Sequence, residues 1–248
     1  MKTIVKFISL YIAVCISVLA GDVNDGAAAF SKGDYPQAIY FFEMACNHGH
    51  PMGCVNLGTM YVNGYGVKQD NVKAAELRQK ACNLGELKGC YTLASMYRDG
   101  RGVKQNIPKA IELYRTICEK KDGEGCDALG VMYDKGIGVE QNFLKAIDMY
   151  QKACDFGEPR GCSDLGAMHL YGRGVNKDYL NAVKLFKKAC DEENGVGCNN
   201  LGVMYVNGDG VEINKKIAVE LFRKSCDFRS EDGCKNLLKL SIELKEKN

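Results

Sequence analysis

Tryptophan is absent from this 248-residue sequence, proline occurs four times and histidine three times. Four prolines leave no Pro-rich linker and suit a mainly helical protein. Three histidines, His48, His50 and His169, are too few for the His/Asp clusters that hold a hydrolytic zinc. A charge of one sign is lacking too: 33 basic residues face 31 acidic ones. Removing residues 1–20, which carry Lys2 and Lys6 and no acid, makes the balance even. A near-neutral protein has no electrostatic footprint for nucleic acid or an anionic membrane. No apolar run reaches bilayer length. The run Phe7–Leu19 is too short to span, and after the basic Lys2 and Lys6 it reads as a signal peptide cleaved after Ala20, with Val18 and Ala20 as the small residues. Cys15 follows the bulky Val14 inside that run, which argues against a lipid-modified cysteine.

Cysteine is what the sequence has in excess, with 13 residues. Beyond Cys15 they are Cys46, Cys54, Cys82, Cys90, Cys118, Cys126, Cys154, Cys162, Cys190, Cys198, Cys226 and Cys234. They form pairs eight positions apart that recur every 36 positions, a period that signals a solenoid of stacked units. Two pairing schemes keep this period. Separation 28 strands Cys46 and Cys234, whereas separation 8 uses every cysteine. An oxidising compartment disfavours stray thiols, so the expected bridges are Cys46–Cys54, Cys82–Cys90, Cys118–Cys126, Cys154–Cys162, Cys190–Cys198 and Cys226–Cys234. The seven-residue gap is wrong for zinc knuckles, and no C-x-x-C redox motif occurs.

The rest of each unit reads as two helices. Leu57, Gly58 and Tyr61 share one helical face. Gly58, Gly130, Gly166 and Gly202, with Ala94 in the second unit, suggest a helix crossing too close for larger side chains. Gly64 is a C-cap candidate, and Gly66 keeps the following loop in left-handed conformations. Val67, Val103, Val139, Val175 and Val211 are expected to plug the loops into the core. Asp70, Asn106, Asn142, Asp178 and Asn214 are N-cap residues for the second helix. Ala74, Leu77 and Ala81 continue it at helical spacing. The expected layout is a signal peptide at 1–20, an N-terminal helical-pair cap at 21–53, five 36-residue repeats at 54–233 and a C-terminal capping helix at 234–248.

The string L-G-x-M-Y-x-x-G-x-G-V, followed by K-A and K-A-C, resembles the Sel-1-like repeat, a relative of the tetratricopeptide repeat. Two cysteines per unit and a signal peptide resemble the Helicobacter cysteine-rich protein family in particular. The resemblance implies an all-α fold, an α/α right-handed superhelix, bridged cysteines and a secreted or periplasmic location. Members of that family are described as penicillin-binding proteins and β-lactamases. The motifs of such enzymes are not found: Ser31, Ser95, Ser163, Ser225 and Ser230 lack the lysine of S-x-x-K, and S-D-N and K-T-G are missing. No catalytic motif is found, so the catalytic residues of such an activity are left unassigned, and no cofactor or metal site is expected. His48 and His50 read as a polar turn, and His169, where other units carry Tyr, as a packing variant.

Repeat solenoids present a concave face lined by the first helices, and positions that vary within a constant frame are candidates for specificity. These are Asn56, Thr59 and Asn63; Thr92, Ser95 and Asp99; Asp127, Val131 and Asp134; Ser163, Asp164 and Tyr171; and Asn199, Asn200 and Asn207. An Asn amide both donates and accepts, which suits a grip on an extended peptide backbone. The expected function is a monomeric scaffold for peptide or protein ligands, cell-wall peptides and their β-lactam mimics among them. The competing expectations are a weak β-lactamase and a structural envelope adaptor.

Overall fold

A computed structural model describes residues 23–245. The expected signal peptide and Cys15 lie outside the described residues. These residues form thirteen helices: α1 (23–31), α2 (Tyr35–Asn47), α3 (Pro51–Asn63), α4 (Asn71–Asn83), α5 (Leu87–Asp99), α6 (Ile107–Glu119), α7 (Gly123–Lys135), α8 (Phe143–Asp155), α9 (Pro159–Tyr171), α10 (Tyr179–Asp191), α11 (Gly195–Asn207), α12 (Lys215–Asp227) and α13 (Glu231–Lys245). There is no strand among the described residues. Odd-numbered helices from α3 to α11 open the repeats and even-numbered ones close them. The described residues divide into two compact units, one up to Leu113 and the other from Tyr114, with the division inside α6. Each is a stack of antiparallel helix pairs.

Local chemistry sets the helix ends. The Asp70 carboxylate accepts from the backbone N–H of Val72 and Lys73, both at 3.0 Å. Asn106, Asn142, Asp178 and Asn214 accept in the same way at 2.9–3.1 Å. At the other end of each first helix, Gly64, Gly100, Gly136, Gly172 and Gly208 adopt the left-handed conformation that stops it. The three-residue turns between repeats also need one left-handed residue. Gly49, Gly85 and Gly157 supply it cheaply, whereas Lys121, Glu193 and Arg229 hold the equivalent positions at φ 61, 63 and 62°.

The second loop glycine has a tertiary reason as well. A Cβ on Gly102 would stand 1.9 Å from the Asn71 carbonyl oxygen, because the loop lies flat on the first residue of α4. Gly102→Ala is therefore expected to cost about 3 kcal/mol or more. Gly33→Ala, at φ +79° with nothing within 4 Å of its Cβ, should cost about 1 kcal/mol. Urea midpoints of the two variants test this. Equal losses would mean that φ alone matters and that the loop's approach to α4 does not.

The helical glycines answer to side chains, which is narrower than the backbone crossing expected of them. A Cβ at Gly130 would meet the ring of Tyr150 at 2.5 Å, at Gly166 that of Phe186 at 2.8 Å, and at Gly202 that of Phe222 at 2.6 Å. Each glycine opens a slot into which the second helix lays an aromatic ring, and Tyr150, Phe186 and Phe222 are all buried there. Gly58 differs, since its slot holds Arg78.

Six disulfides join Cys46–Cys54, Cys82–Cys90, Cys118–Cys126, Cys154–Cys162, Cys190–Cys198 and Cys226–Cys234, with Cα atoms 4.5–4.6 Å apart. Each ties the last turn of one second helix to the first turn of the next helix. The approach is close because small residues line it: a Cβ at Gly53 would meet Ala45 at 2.6 Å, and one at Gly161 would meet Ala153 at 2.4 Å.

Candidate functional site: the first-helix faces

In the first unit, furrows run between neighbouring first helices. One is lined by Phe30, Phe42, Asn56, Thr59 and Met60. Its neighbour, about 190 Å³, is lined by Val62, Asn71, Arg78, Thr92, Ser95, Met96 and Arg101. Four of the expected residues, Asn56, Thr59, Thr92 and Ser95, thus line cavities. Asn63 is exposed and donates to the Thr59 carbonyl at 2.9 Å. Asp99 is held by Arg98 at 2.7 Å and Arg101 at 3.0 Å, and the Arg98 hydrogen bond keeps its carboxyl below the usual range.

The polar centre of the first unit is Arg78. In α2, α6, α8, α10 and α12 the equivalent position holds Phe42, Tyr114, Tyr150, Phe186 and Phe222, all buried. Arg78 is only 6% exposed. One terminal nitrogen donates to Thr59 Oγ1 at 2.9 Å, and Nε is buried with no partner. The Thr59 hydroxyl proton goes to the Val55 carbonyl at 3.0 Å, so Thr59 meets the guanidinium with a lone pair.

The second unit has an acid-rich counterpart. Asp127 and Asp134, expected to line an open groove, are both buried, at 3% and 8% exposure. Asp134 is drawn in by an ion pair with Arg173, whose guanidinium also lies 5.3 Å from the Phe143 ring centre. Asp127 faces half-buried Asp164 of the following repeat, with Arg160 3.7 Å away as its partial counter-charge. Burial first, and the Asp164 charge second, push the Asp127 carboxyl up to about 7; burial also raises Asp164. One Asp127 oxygen, Oδ1, is buried without a donor. A proton on Asp127 lets it donate to Asp164, whereas two bare carboxylates repel. The same step two repeats later carries Asn199 and Asn236, whose amides bond directly at 2.8 Å.

The remaining expected positions are scattered. Val131 is half-buried, Ser163 buried and Tyr171 exposed. Asn200 lies 3.5 Å from Asn199, and exposed Asn207 donates to Asp209 at 3.2 Å. His169 bonds Asn181 at 3.0 Å, where three other repeats set a Lys over a Tyr: Lys73 on Tyr61, Lys109 on Tyr97 and Lys145 on Tyr133. Both members of that pair have changed together. His48 and His50 flank the turn between α2 and α3. No group of three or more potential ligands that could hold a metal occurs among the described residues. No described helix is long and apolar enough to cross a membrane. A larger cavity of about 500 Å³ in the second unit, floored by Leu129, Met149 and Phe156, has both acidic and basic residues around it and lies apart from the expected positions.

Arg78, Arg160 and Arg173 are functional candidates that the pattern of variable first-helix positions does not reach. A signal for Arg78 does exist in the sequence, since it is the one charged residue in a column otherwise of Phe and Tyr.

A model of the Sel1 repeat family matches residues 23–50, 51–86, 87–122, 123–156, 159–194 and 195–227. It counts the α1–α2 pair as a repeat and begins the next five with a first helix, less than a turn before the frame drawn from Cys54. "Putative beta-lactamase HcpD" of Helicobacter pylori is 38% identical over 73 residues, 27% of this chain and 24% of that protein. Cytochrome c oxidase assembly factor 7 of Xenopus tropicalis is 42% identical over 55 residues, 22% of this chain and 23% of that one. These matches span about a quarter of each relative's length. Among solved structures, a protective antigen of uropathogenic Escherichia coli has 27% identity and a TM-score of 0.74 over 88% of this chain and 48% of its own. A Sel1 repeat protein from Oxalobacter formigenes has 22% identity and a TM-score of 0.77, covering 91% and 100%.

Proposed function

Because the chain belongs to the Sel1 repeat family, we propose that it is an exported, disulfide-rich scaffold that binds extended peptides or protein segments along its first-helix faces. The observation that carries this reading is a constant frame with a changing lining. Caps, glycines and cysteines recur, while the furrow positions run from Asn56 and Thr59 to Thr92 and Ser95. Six disulfides support an oxidising, extracytoplasmic location, with secretion or the periplasm as the finer reading.

Selection of peptides from a random display library on the purified protein tests the proposal. Asn56→Ala and Asn200→Ala are expected to weaken the selected peptides about fivefold to tenfold each, the effect of losing hydrogen bonds to a backbone. Selected peptides that bind both variants as well as the parent would place binding elsewhere and overturn the reading. The name of the Helicobacter relatives supports a second reading, slow opening of β-lactam amides. A chromogenic β-lactam turned over no faster than in buffer would remove it.

A further inference from the structure

We propose that Arg78 is a carboxylate-binding residue, and that the cavity above it receives the carboxylate of a peptide ligand. This deepens the peptide-scaffold reading and rests on it for the ligand's origin. Five equivalent positions hold an aromatic ring that fills its slot. At Arg78 the slot holds a permanent cation that no carboxylate of the described residues neutralises. Burial pulls its pKa down, but a guanidinium stays charged at any physiological pH, so losing the proton is no way to relieve the cost. An uncompensated buried charge opposes folding, and an anion entering from solvent relieves it.

The cavity presents cationic side chains to a guest, beside the Thr92 and Ser95 hydroxyls, which donate to the Lys88 and Tyr91 carbonyls of their own helix at 2.9 and 3.2 Å. Arg78 and, at the mouth, the Arg101 guanidinium, 56% exposed and shared with Asp99, line it, while Arg78 Nε lies buried beside Gly58 without a partner. No acidic side chain lines it. Val62 and Met96 give it apolar walls. Its volume of about 190 Å³ admits a carboxylate with a short stem. A planar carboxylate matches a guanidinium edge with two parallel hydrogen bonds. The free C-terminus of a peptide and an Asp or Glu side chain both present this group.

The test follows the Arg78 Nε–H resonance by NMR while acetate, N-acetylglycine or the uncharged control acetamide is added. Saturable shifts in the millimolar range with both carboxylates and none with acetamide are expected. The matched variant is Arg78→Phe, the residue that three other repeats carry there. It should fold at least as stably as the parent and lose the carboxylate response. If it does not fold, the acetate and acetamide titrations of the parent still decide. Library peptides with a free C-terminus, the same peptides amidated, and amidated peptides with one internal Glu then separate the two carboxylate sources. At least tenfold weaker binding of the matching class to Arg78→Phe is expected. No shift with either carboxylate, or equal shifts with acetamide, overturns the site. Selected peptides that bind Arg78→Phe unchanged also overturn it while leaving the scaffold reading intact. Acetate shifts without any selected peptide keep the site and sink the scaffold reading.

Discussion

Full reduction of the six disulfides is expected to unfold the protein at 37 °C. Each bridge closes a loop of separation 8, which removes unfolded-state entropy equivalent to about 2–3 kcal/mol. Even half of the combined effect is about 6–9 kcal/mol, comparable with the whole stability of an ordinary domain, about 5–15 kcal/mol. Packing offers little long-range substitute, because each repeat rests mainly on its neighbours. Circular-dichroism melts with and without a phosphine reductant measure the effect. A reduced protein melting within a few degrees of the oxidised one would show that packing alone holds the stack. Position in the stack should matter. Losing Cys226–Cys234 through paired Ser substitutions frees only α13, so added hydrogen exchange should stay local to it. Losing Cys154–Cys162 should cost about 2–3 kcal/mol and raise exchange in α8, α9 and α10 together.

Stability is also expected to fall as the pH rises from about 4 to about 7, then level off, and Asp127 is the main cause. In the folded state its carboxyl keeps a proton up to about pH 7; an unfolded carboxyl keeps one only to the ordinary value of 3.8. Between these values the folded state binds more protons, so this stabilisation is complete below pH 4 and lost through pH 7. The full difference is worth about 4 kcal/mol. Asp164, Asp134, Glu158 and Tyr150 face the same space with Arg160 and Arg173, and Asp164, shifted upward by its own burial, contributes with the same sign. Asp127→Asn keeps the shape and supplies a neutral donor. Asn199 and Asn236 show that an amide pair fits this step at 2.8 Å. The variant should match the parent near pH 4 and exceed it by about 2–4 kcal/mol at pH 8, with most of the slope gone. Melting temperatures measured from pH 4 to pH 9 decide this. An unchanged slope in the variant would assign the pH dependence to other groups.

The 36-residue period, the caps at Asp70 and Asn142 and the stops at Gly64 and Gly136 are all legible in the amino-acid sequence. The caps and stops depend on residues within one or two helical turns of one another, and the period is their recurrence along the sequence. The cysteine partners belong to the same class, since a bridge of separation 8 spans one tight turn. Gly102 is legible as a turn glycine, while its approach to Asn71 is not.

What the sequence determined by itself is the brick and its joint: two helices, their ends and the staple between them, because local hydrogen bonding and turn sterics act over a few residues. What only the tertiary structure decided is which side chains of successive bricks meet. Asp127 with Asp164, Asn199 with Asn236 and Asp134 with Arg173 are pairs 37–39 residues apart. Their meeting depends on the rotation and rise from one repeat to the next, which packing sets. Arg78 shows the difference most directly. Its place in an aromatic column is written in the sequence, but only folding reveals that, among the described residues, no carboxylate comes to meet it.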